Sequence, residues 1–177
     1  NNDGKNDLIL ANRDGQQNYV YLQTEKLVFN TKTPFGTGSD ETRSVAVVDL
    51  NKDGFLDIVT GNIGQENVIY FGNGADFKKE LIYETDSLST YSISVVDLNN
   101  DGLLDILNGN SEGINYAYIN KEGNDFERIP LNADNKNDTY DIVSFDVNND
   151  GYPEVFEANS DALNLYFRNL FGRLKKD

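Results

Sequence analysis

The sequence contains no Cys, no His, no Met and no Trp, and only 3 Pro in 177 residues. Without His there is no Ser-His-Asp or Cys-His pair for nucleophilic catalysis, and without His or Cys there is no conventional zinc, haem or iron–sulfur site. Any bound metal would have to be held by oxygen. Positive charge is scarce too: 15 Lys+Arg stand against 30 Asp+Glu, for a formal net charge of −15 and a pI near 4.2. That sign is wrong for a phosphate backbone or an anionic membrane surface, both of which recruit clustered Lys and Arg. Neither nucleic acid nor direct membrane insertion is therefore expected, and no apolar run approaches the ~20 residues of a bilayer span. No stretch reads as a secretion signal, and the chain opens on Asn1-Asn2-Asp3 without an initiating Met. The expectation is a processed chain or a piece of a longer one.

What is present is a repeat. Hydrophobic residues make up 38% of the chain, with 10 Phe and 10 Tyr, enough for a core despite the acidity. The segment Asp49-Leu50-Asn51-Lys52-Asp53-Gly54-Phe55-Leu56-Asp57 recurs as Asp97-Leu98-Asn99-Asn100-Asp101-Gly102-Leu103-Leu104-Asp105 and as Asp146-Val147-Asn148-Asn149-Asp150-Gly151-Tyr152-Pro153-Glu154. A fourth copy opens the chain already in progress at Asn1-Asn2-Asp3-Gly4-Lys5-Asn6-Asp7. The glycines at 4, 54, 102 and 151 are spaced 50, 48 and 49 residues apart, which marks one supersecondary unit used repeatedly. The units are read as approximately 1–43, 44–91, 92–140 and 141–177, within a single segment.

The surroundings repeat as well. An apolar run precedes each complete loop (Val45 to Val48, Ile93 to Val96, Ile142 to Phe145), and a second run follows it, ending at Asn12, Asn62, Asn110 and Asn159. A polar turn leads to a third run carrying Tyr21, Tyr70, Tyr118 or Tyr166. The two interior copies close on Lys79 to Tyr83 and Phe126 to Leu131, and Phe171 to Lys176 is at most a partial counterpart in the last. Runs of this length, rich in Val, Ile, Tyr and Phe and punctuated by Gly, Asn and Asp, predict strands. Four strands per unit of this size predict an all-β propeller of four-stranded antiparallel blades. The aligned tyrosines are expected in the core between blades, with a sugar-stacking role as the alternative. The repeated Asn residues are expected to cap turns. Thr33 to Arg43, Thr85 to Tyr91 and Ala133 to Thr139 read as long surface loops.

The Asp-rich loop has oxygen-bearing side chains at positions 1, 3, 5 and 9, a Gly at position 6 and an unconstrained position 7 suited to use of its carbonyl. Calcium takes six to eight hard oxygens from a flexible loop, whereas magnesium demands a tighter octahedron and keeps its waters. An EF-hand would need a Glu at position 12 between two helices. Position 12 is Thr60, Asn108 and Glu157, between strand-like runs. The candidate calcium ligands are therefore Asp49, Asn51, Asp53, Phe55 and Asp57; Asp97, Asn99, Asp101, Leu103 and Asp105; Asp146, Asn148, Asp150, Tyr152 and Glu154; and Asn1, Asp3, Lys5 and Asp7. Lys5, Phe55, Leu103 and Tyr152 would act through their backbone carbonyls. Three to four structural Ca2+ ions are expected, with the first loop lacking position 1 and the last altered by Pro153 and Glu154.

At these residues the sequence resembles the FG-GAP/VCBS-type repeat, the calcium-bearing blade unit of integrin α-subunit heads, certain fungal lectins and many secreted bacterial surface proteins. The resemblance covers essentially the whole chain and implies about three and a half blades of a ring of roughly seven. It implies an extracellular, secreted or cell-surface module that binds a carbohydrate or protein ligand, with further blades supplied by the same or a partner chain. Two other readings stand beside it: the propeller domain of a polysaccharide lyase or hydrolase, and an architectural part of a surface assembly. Nineteen carboxylates lie outside the loops, so residues for a glycosidase pair exist, but no spacing singles one out and no catalytic residue is assigned. Binding is expected ahead of catalysis.

Overall fold

The computed structural model describes all residues except 78, 123, 124, 134, 135, 171 and 177. The described residues form strands and connecting turns, with no helix among them. The strands are β1 (Leu8–Leu10), β2 (Gln16–Leu22), β3 (Thr31–Asp40), β4 (Thr42–Val48), β5 (Asp57–Asn62), β6 (Asn67–Phe71), β7 (Lys79–Glu84), β8 (Ser89–Val96), β9 (Asp105–Ser111), β10 (Tyr116–Asn120), β11 (Phe126–Pro130), β12 (Thr139–Phe145), β13 (Glu154–Asn159), β14 (Leu165–Asn169) and β15 (Leu174–Lys176). They make four antiparallel meanders: three-stranded β1-β2-β3 and four-stranded β4 to β7, β8 to β11 and β12 to β15. The expected four-stranded blade is thus present three times, and the last is completed by the short β15. Phe171, the expected start of that strand, lies outside the described residues.

The chain divides into two compact units, Asn1–Ser87 and Leu88–Asp177, each holding two sheets. In unit 1, Val20 and Phe35 of the first sheet pack with Ile58, Val68 and Tyr70 of the second, including an edge-to-face contact of Phe35 on Tyr70 at 5.5 Å. In unit 2, Leu107, Ala117 and Ile119 pack with Ile142, Val155 and Phe167. Strands β5 and β6 are buried at every residue, which explains why their sequences run apolar without alternation.

Register is common to the repeats. Val48 pairs Asp57, Val96 pairs Asp105 and Phe145 pairs Glu154, so the Asp-rich loop always closes the hairpin between first and second strands. The partner of the second-strand residue Ile58 is Tyr70, that of Ile106 is Tyr118, and that of Val155 is Phe167. The residue equivalent to Tyr70 and Tyr118 is therefore Phe167, and Tyr166 does not share their place. A one-residue offset turns a side chain to the opposite face of a strand. Phe167 is fully buried while Tyr166 stacks on Phe156 at 5.1 Å on the other face.

Thr33 to Arg43 is not a loop. It is largely β3, at ten residues the longest strand described, running directly into β4. Gly36 and Gly38 have φ of +80° and +90°, and the β2–β3 register shifts between Gln16 and Asn18. A side chain at Gly36 would collide with the Asp40 carboxylate. The glycines that read as loop punctuation are the residues that let a bulged strand fold around a buried Asp. Of the expected loop Ala133 to Thr139, residues 134 and 135 lie outside the described residues.

Candidate cation-binding loops

Each complete Asp-rich loop leaves an apolar first strand and enters the second strand at position 9, and all four copies turn through two left-handed residues. The left-handed positions are the same every time. Position 4 is Asn2, Lys52, Asn100 or Asn149 at φ 56–60°, and position 6 is Gly4, Gly54, Gly102 or Gly151 at φ 80–89°. Left-handed backbone is costly for a non-glycine residue, and its recurrence here requires local bonds that hold it.

Those bonds come from the acidic side chains. The position-1 carboxylates of Asp49, Asp97 and Asp146 accept the N–H of position 5 at 3.1–3.2 Å and of position 6 at 2.7–3.0 Å. Asn51, Asn99 and Asn148 accept the same position-5 N–H through Oδ1 at 2.8–3.0 Å. Asp53, Asp101 and Asp150 accept the N–H of Phe55, Leu103 and Tyr152 at 2.8–2.9 Å. The opening copy keeps what it has: Asn1 accepts from Asp3 N–H at 3.2 Å and Asp3 from Lys5 N–H at 2.9 Å. These are Asx-type turns, with side-chain oxygens satisfying a tight backbone.

Position 9 behaves differently. Asp57, Asp105 and Glu154 are fully buried. Asp57 accepts Leu50 N–H and Gly72 N–H, both at 2.9 Å, and so ties the loop to the end of the third strand. Asp105 does the same with Leu98 and Asn120, both at 2.8 Å, and Asp7 reaches Gln23 N–H at 2.9 Å. Glu154 accepts Val147 N–H at 3.1 Å, but its second oxygen takes Asn148 Nδ2 at 3.2 Å instead of a third-strand amide. Burial raises the carboxyl of Asp57 above the ordinary Asp range and pushes that of Asp105 up to about 6. The backbone N–H groups oppose the shift, and Asp97 and Asp101, like Asp49 and Asp53 in the other loop, add to it.

The donor set suits a hard cation. Each complete loop offers three carboxylates, an amide oxygen and a carbonyl within nine consecutive residues, all oxygen, as calcium prefers. In the described residues no three carboxylates are gathered as ligands of one ion would be. Local donors meet the outer oxygens: Asn51 Nδ2 donates to Asp53 at 3.0 Å, Asn99 Nδ2 to Asp101 at 2.8 Å, and Lys5 Nζ to Asp3 at 3.2 Å. Position 9 lies at the buried base of each complete loop.

The opposite end of each sheet carries a second repeated device that the sequence reading caught only in half. Asn12, Asn62, Asn110 and Asn159 do cap their turns, each donating Nδ2 to a carbonyl four or five residues on at 2.6–2.8 Å. The N–H of each is accepted by a second Asn: Asn18, Asn67, Asn115 and Asn164, at 2.7–2.9 Å. Asn18 continues to Thr42 Oγ1 at 3.0 Å, and Asn115 to Thr139 Oγ1 at 2.8 Å. The second Asn thus links one sheet to the next within each unit. Its signal was available as an Asn five or six residues after the first in every copy. No helix is long and apolar enough to cross a membrane among the described residues.

The family model of the FG-GAP-like repeat matches residues 1–60 and 97–157. Curated proteins give no match.

Proposed function

The chain belongs to the FG-GAP-like repeat family, and from that membership we propose that it is a calcium-stabilised extracellular module of β-propeller type that recognises a carbohydrate or protein ligand. The observation that carries the reading is the congruence of the four loops, with the same two left-handed positions and the same side-chain-to-backbone bonds. The shared geometry presents the same set of side-chain and carbonyl oxygens at each repeat. Asp49, Asn51, Asp53 and Asp57 would hold one ion with the Phe55 carbonyl. Asp97, Asn99, Asp101 and Asp105 would hold the next with Leu103, and Asp146, Asn148, Asp150 and Glu154 a third with Tyr152. Asn1, Asp3, Asp7 and the Lys5 carbonyl form the incomplete set. Bound calcium would supply the positive charge that lets neighbouring carboxylates stay ionised beside one another.

Extracellular calcium makes this worthwhile energetically. A site with a dissociation constant of ~0.1 mM, in the range of extracellular modules, gains about 1.4 kcal/mol at ~1 mM calcium. Three or four such sites together rival the 5–15 kcal/mol stability of an ordinary domain. The absence of Cys fits ions in the stapling role that disulfides often play in secreted domains. Isothermal titration of the EDTA-stripped chain with calcium tests the proposal, with three to four ions expected and two fewer in an Asp53→Asn/Asp101→Asn variant. Glycan and protein arrays probed with the calcium-loaded chain test recognition. Heat-silent titration with unchanged melting would overturn the calcium reading.

A further inference from the structure

Asn169, at the end of β14, is a buried side chain that touches two of the Asp-rich loops at once. It is 1% exposed. Its Nδ2 donates to the Leu98 carbonyl at 2.7 Å and to the Pro153 carbonyl at 2.9 Å, and its Oδ1 accepts Gly172 N–H at 2.9 Å. Both amide protons and the amide oxygen are thereby engaged. Leu98 is position 2 of the 97–105 loop, between the candidate ligands Asp97 and Asn99, and Pro153 is position 8 of the 146–154 loop, between Tyr152 and Glu154. The same two loops approach a second time: Asn100 Nδ2 lies 3.6 Å from the place a β-carbon would take on Gly151.

Register places Gly72, Asn120 and Asn169 at one position, two residues beyond Tyr70, Tyr118 and Phe167. Gln23 shares it, since its N–H meets Asp7 as that of Gly72 meets Asp57. Three copies bond the position-8 carbonyl of their own loop with an amide side chain from this place: Gln23 Nε2 to Asn6 at 2.8 Å, Asn120 Nδ2 to Leu104 at 3.1 Å, and Asn169 to Pro153. The second copy has Gly72, where a β-carbon would collide with the Leu56 carbonyl. The bond from Asn169 to Leu98 goes further, from one sheet into the loop of its neighbour. In unit 1 the neighbouring loops meet at the surface, where Asn2 Nδ2 donates to the Gly54 carbonyl at 3.2 Å.

We propose that Asn169 is a positioning residue that couples the two candidate ion sites of unit 2, so that calcium in the 97–105 loop raises the affinity of the 146–154 loop, and the reverse. The proposal deepens the calcium reading and rests on it. When Asp97 and Asn99 close on an ion, the Leu98 carbonyl between them is fixed. Asn169, held by three hydrogen bonds in the core, passes that order to Pro153 and so to the Tyr152 carbonyl and Glu154 on either side. A contiguous hydrogen-bonded chain of this kind can carry coupling. The second ion then binds a loop whose ordering has already been partly met, and linkage makes the effect equal in both directions.

Calcium is titrated into the whole EDTA-stripped chain, with the amide resonances of Leu103 and Tyr152 reporting the two loops separately. Asp101→Asn, which disables the first loop, should raise the calcium midpoint at Tyr152 by about 5-fold or more, and Asp150→Asn should raise that at Leu103 by the same factor. In an Asn169→Gly background, which copies the residue the second repeat carries at this place, both shifts should vanish. In EDTA the Asn169→Gly chain should also exchange the Gly102 and Gly151 amides faster while Gly54 is unchanged, a readout that needs no metal. The Asp101→Asn and Asp150→Asn arms leave Asn169 untouched, so they decide the matter whether or not the Asn169→Gly chain folds. Calcium binding at both loops with midpoints indifferent to these substitutions, or shifts that persist undiminished without Asn169, would overturn the coupling and leave the calcium reading standing. No calcium-dependent shift at Leu103 or Tyr152 would overturn both.

Discussion

The two ends of each sheet are fastened by opposite chemistries. At one end a hairpin is closed by ionised carboxylates on a mostly exposed loop, each bonded to backbone N–H groups but surrounded by like charge. At the other end neutral amides and threonine hydroxyls do the fastening, and Asn67, Asn110, Asn115, Thr90 and Thr139 are buried. Neutral groups can be buried once their hydrogen bonds are made, and the Asn end makes most of its own, with Asn62 Oδ1 the buried atom left without a partner. Carboxylates brought together lose stability through mutual repulsion unless a cation joins them. On the proposed calcium reading, the same repeat carries one fastening that is permanent and one that is conditional on an ion.

Breaking the conditional fastening everywhere should have the largest effect. Urea unfolding in EDTA is expected to show a loss of about 4–6 kcal/mol against ~1 mM calcium, from three or four sites of the strength given above. Next comes the permanent fastening. Asn115→Ala removes the acceptor of Asn110 N–H and the donor to Thr139, stranding buried polar groups at about 1–3 kcal/mol. The same loss is expected in calcium and in EDTA. Asp101→Asn should be smaller and conditional: about 1.4 kcal/mol less stable in calcium and no less stable in EDTA, because it also removes one of the charges that raise Asp105.

The smallest effect is one of sign. Asp105 has its folded-state carboxyl near 6, above its unfolded value of 3.8, so its contribution is fully present below that lower value and is lost as pH rises through about 6. In EDTA, lowering the pH from 7 to 5 is expected to stabilise the wild type through Asp105, and less so an Asp105→Asn variant. In calcium the same change should destabilise, because protons then compete with the ion for the carboxylates. Melting curves at both pH values, with and without EDTA, check the reversal.

The repeat and its loops were legible because the constraint there is local. A glycine every 48 to 50 residues and an Asp at fixed offsets mark a backbone turn whatever packs around it. What escaped depended on partners distant in sequence. β3 was hidden because Gly36 and Gly38 signal a turn, and only the buried Asp40 shows that they serve a bulge. Aligned by residue type, Tyr166 falls with Tyr70 and Tyr118; the register that puts Phe167 there is set by pairing with Val155. The second Asn of each turn recurs five or six residues after the first, but a polar residue in a polar turn does not show a role until its bond to the first Asn is seen. At position 9, spacing identifies an oxygen donor but gives no hint that Asp57 and Asp105 are buried and bridge to the third strand.

Amide hydrogen exchange resolves the two ends within one experiment. The amides of Asp53, Gly54 and Phe55, and of Asp101, Gly102 and Leu103, should be slowed by ~1 mM calcium relative to EDTA at temperatures well below unfolding. Those of Asn62 and Asn110 should exchange at the same rate in both. Loop amides indifferent to calcium, or Asn-end amides that respond as strongly as the loops, would contradict the account.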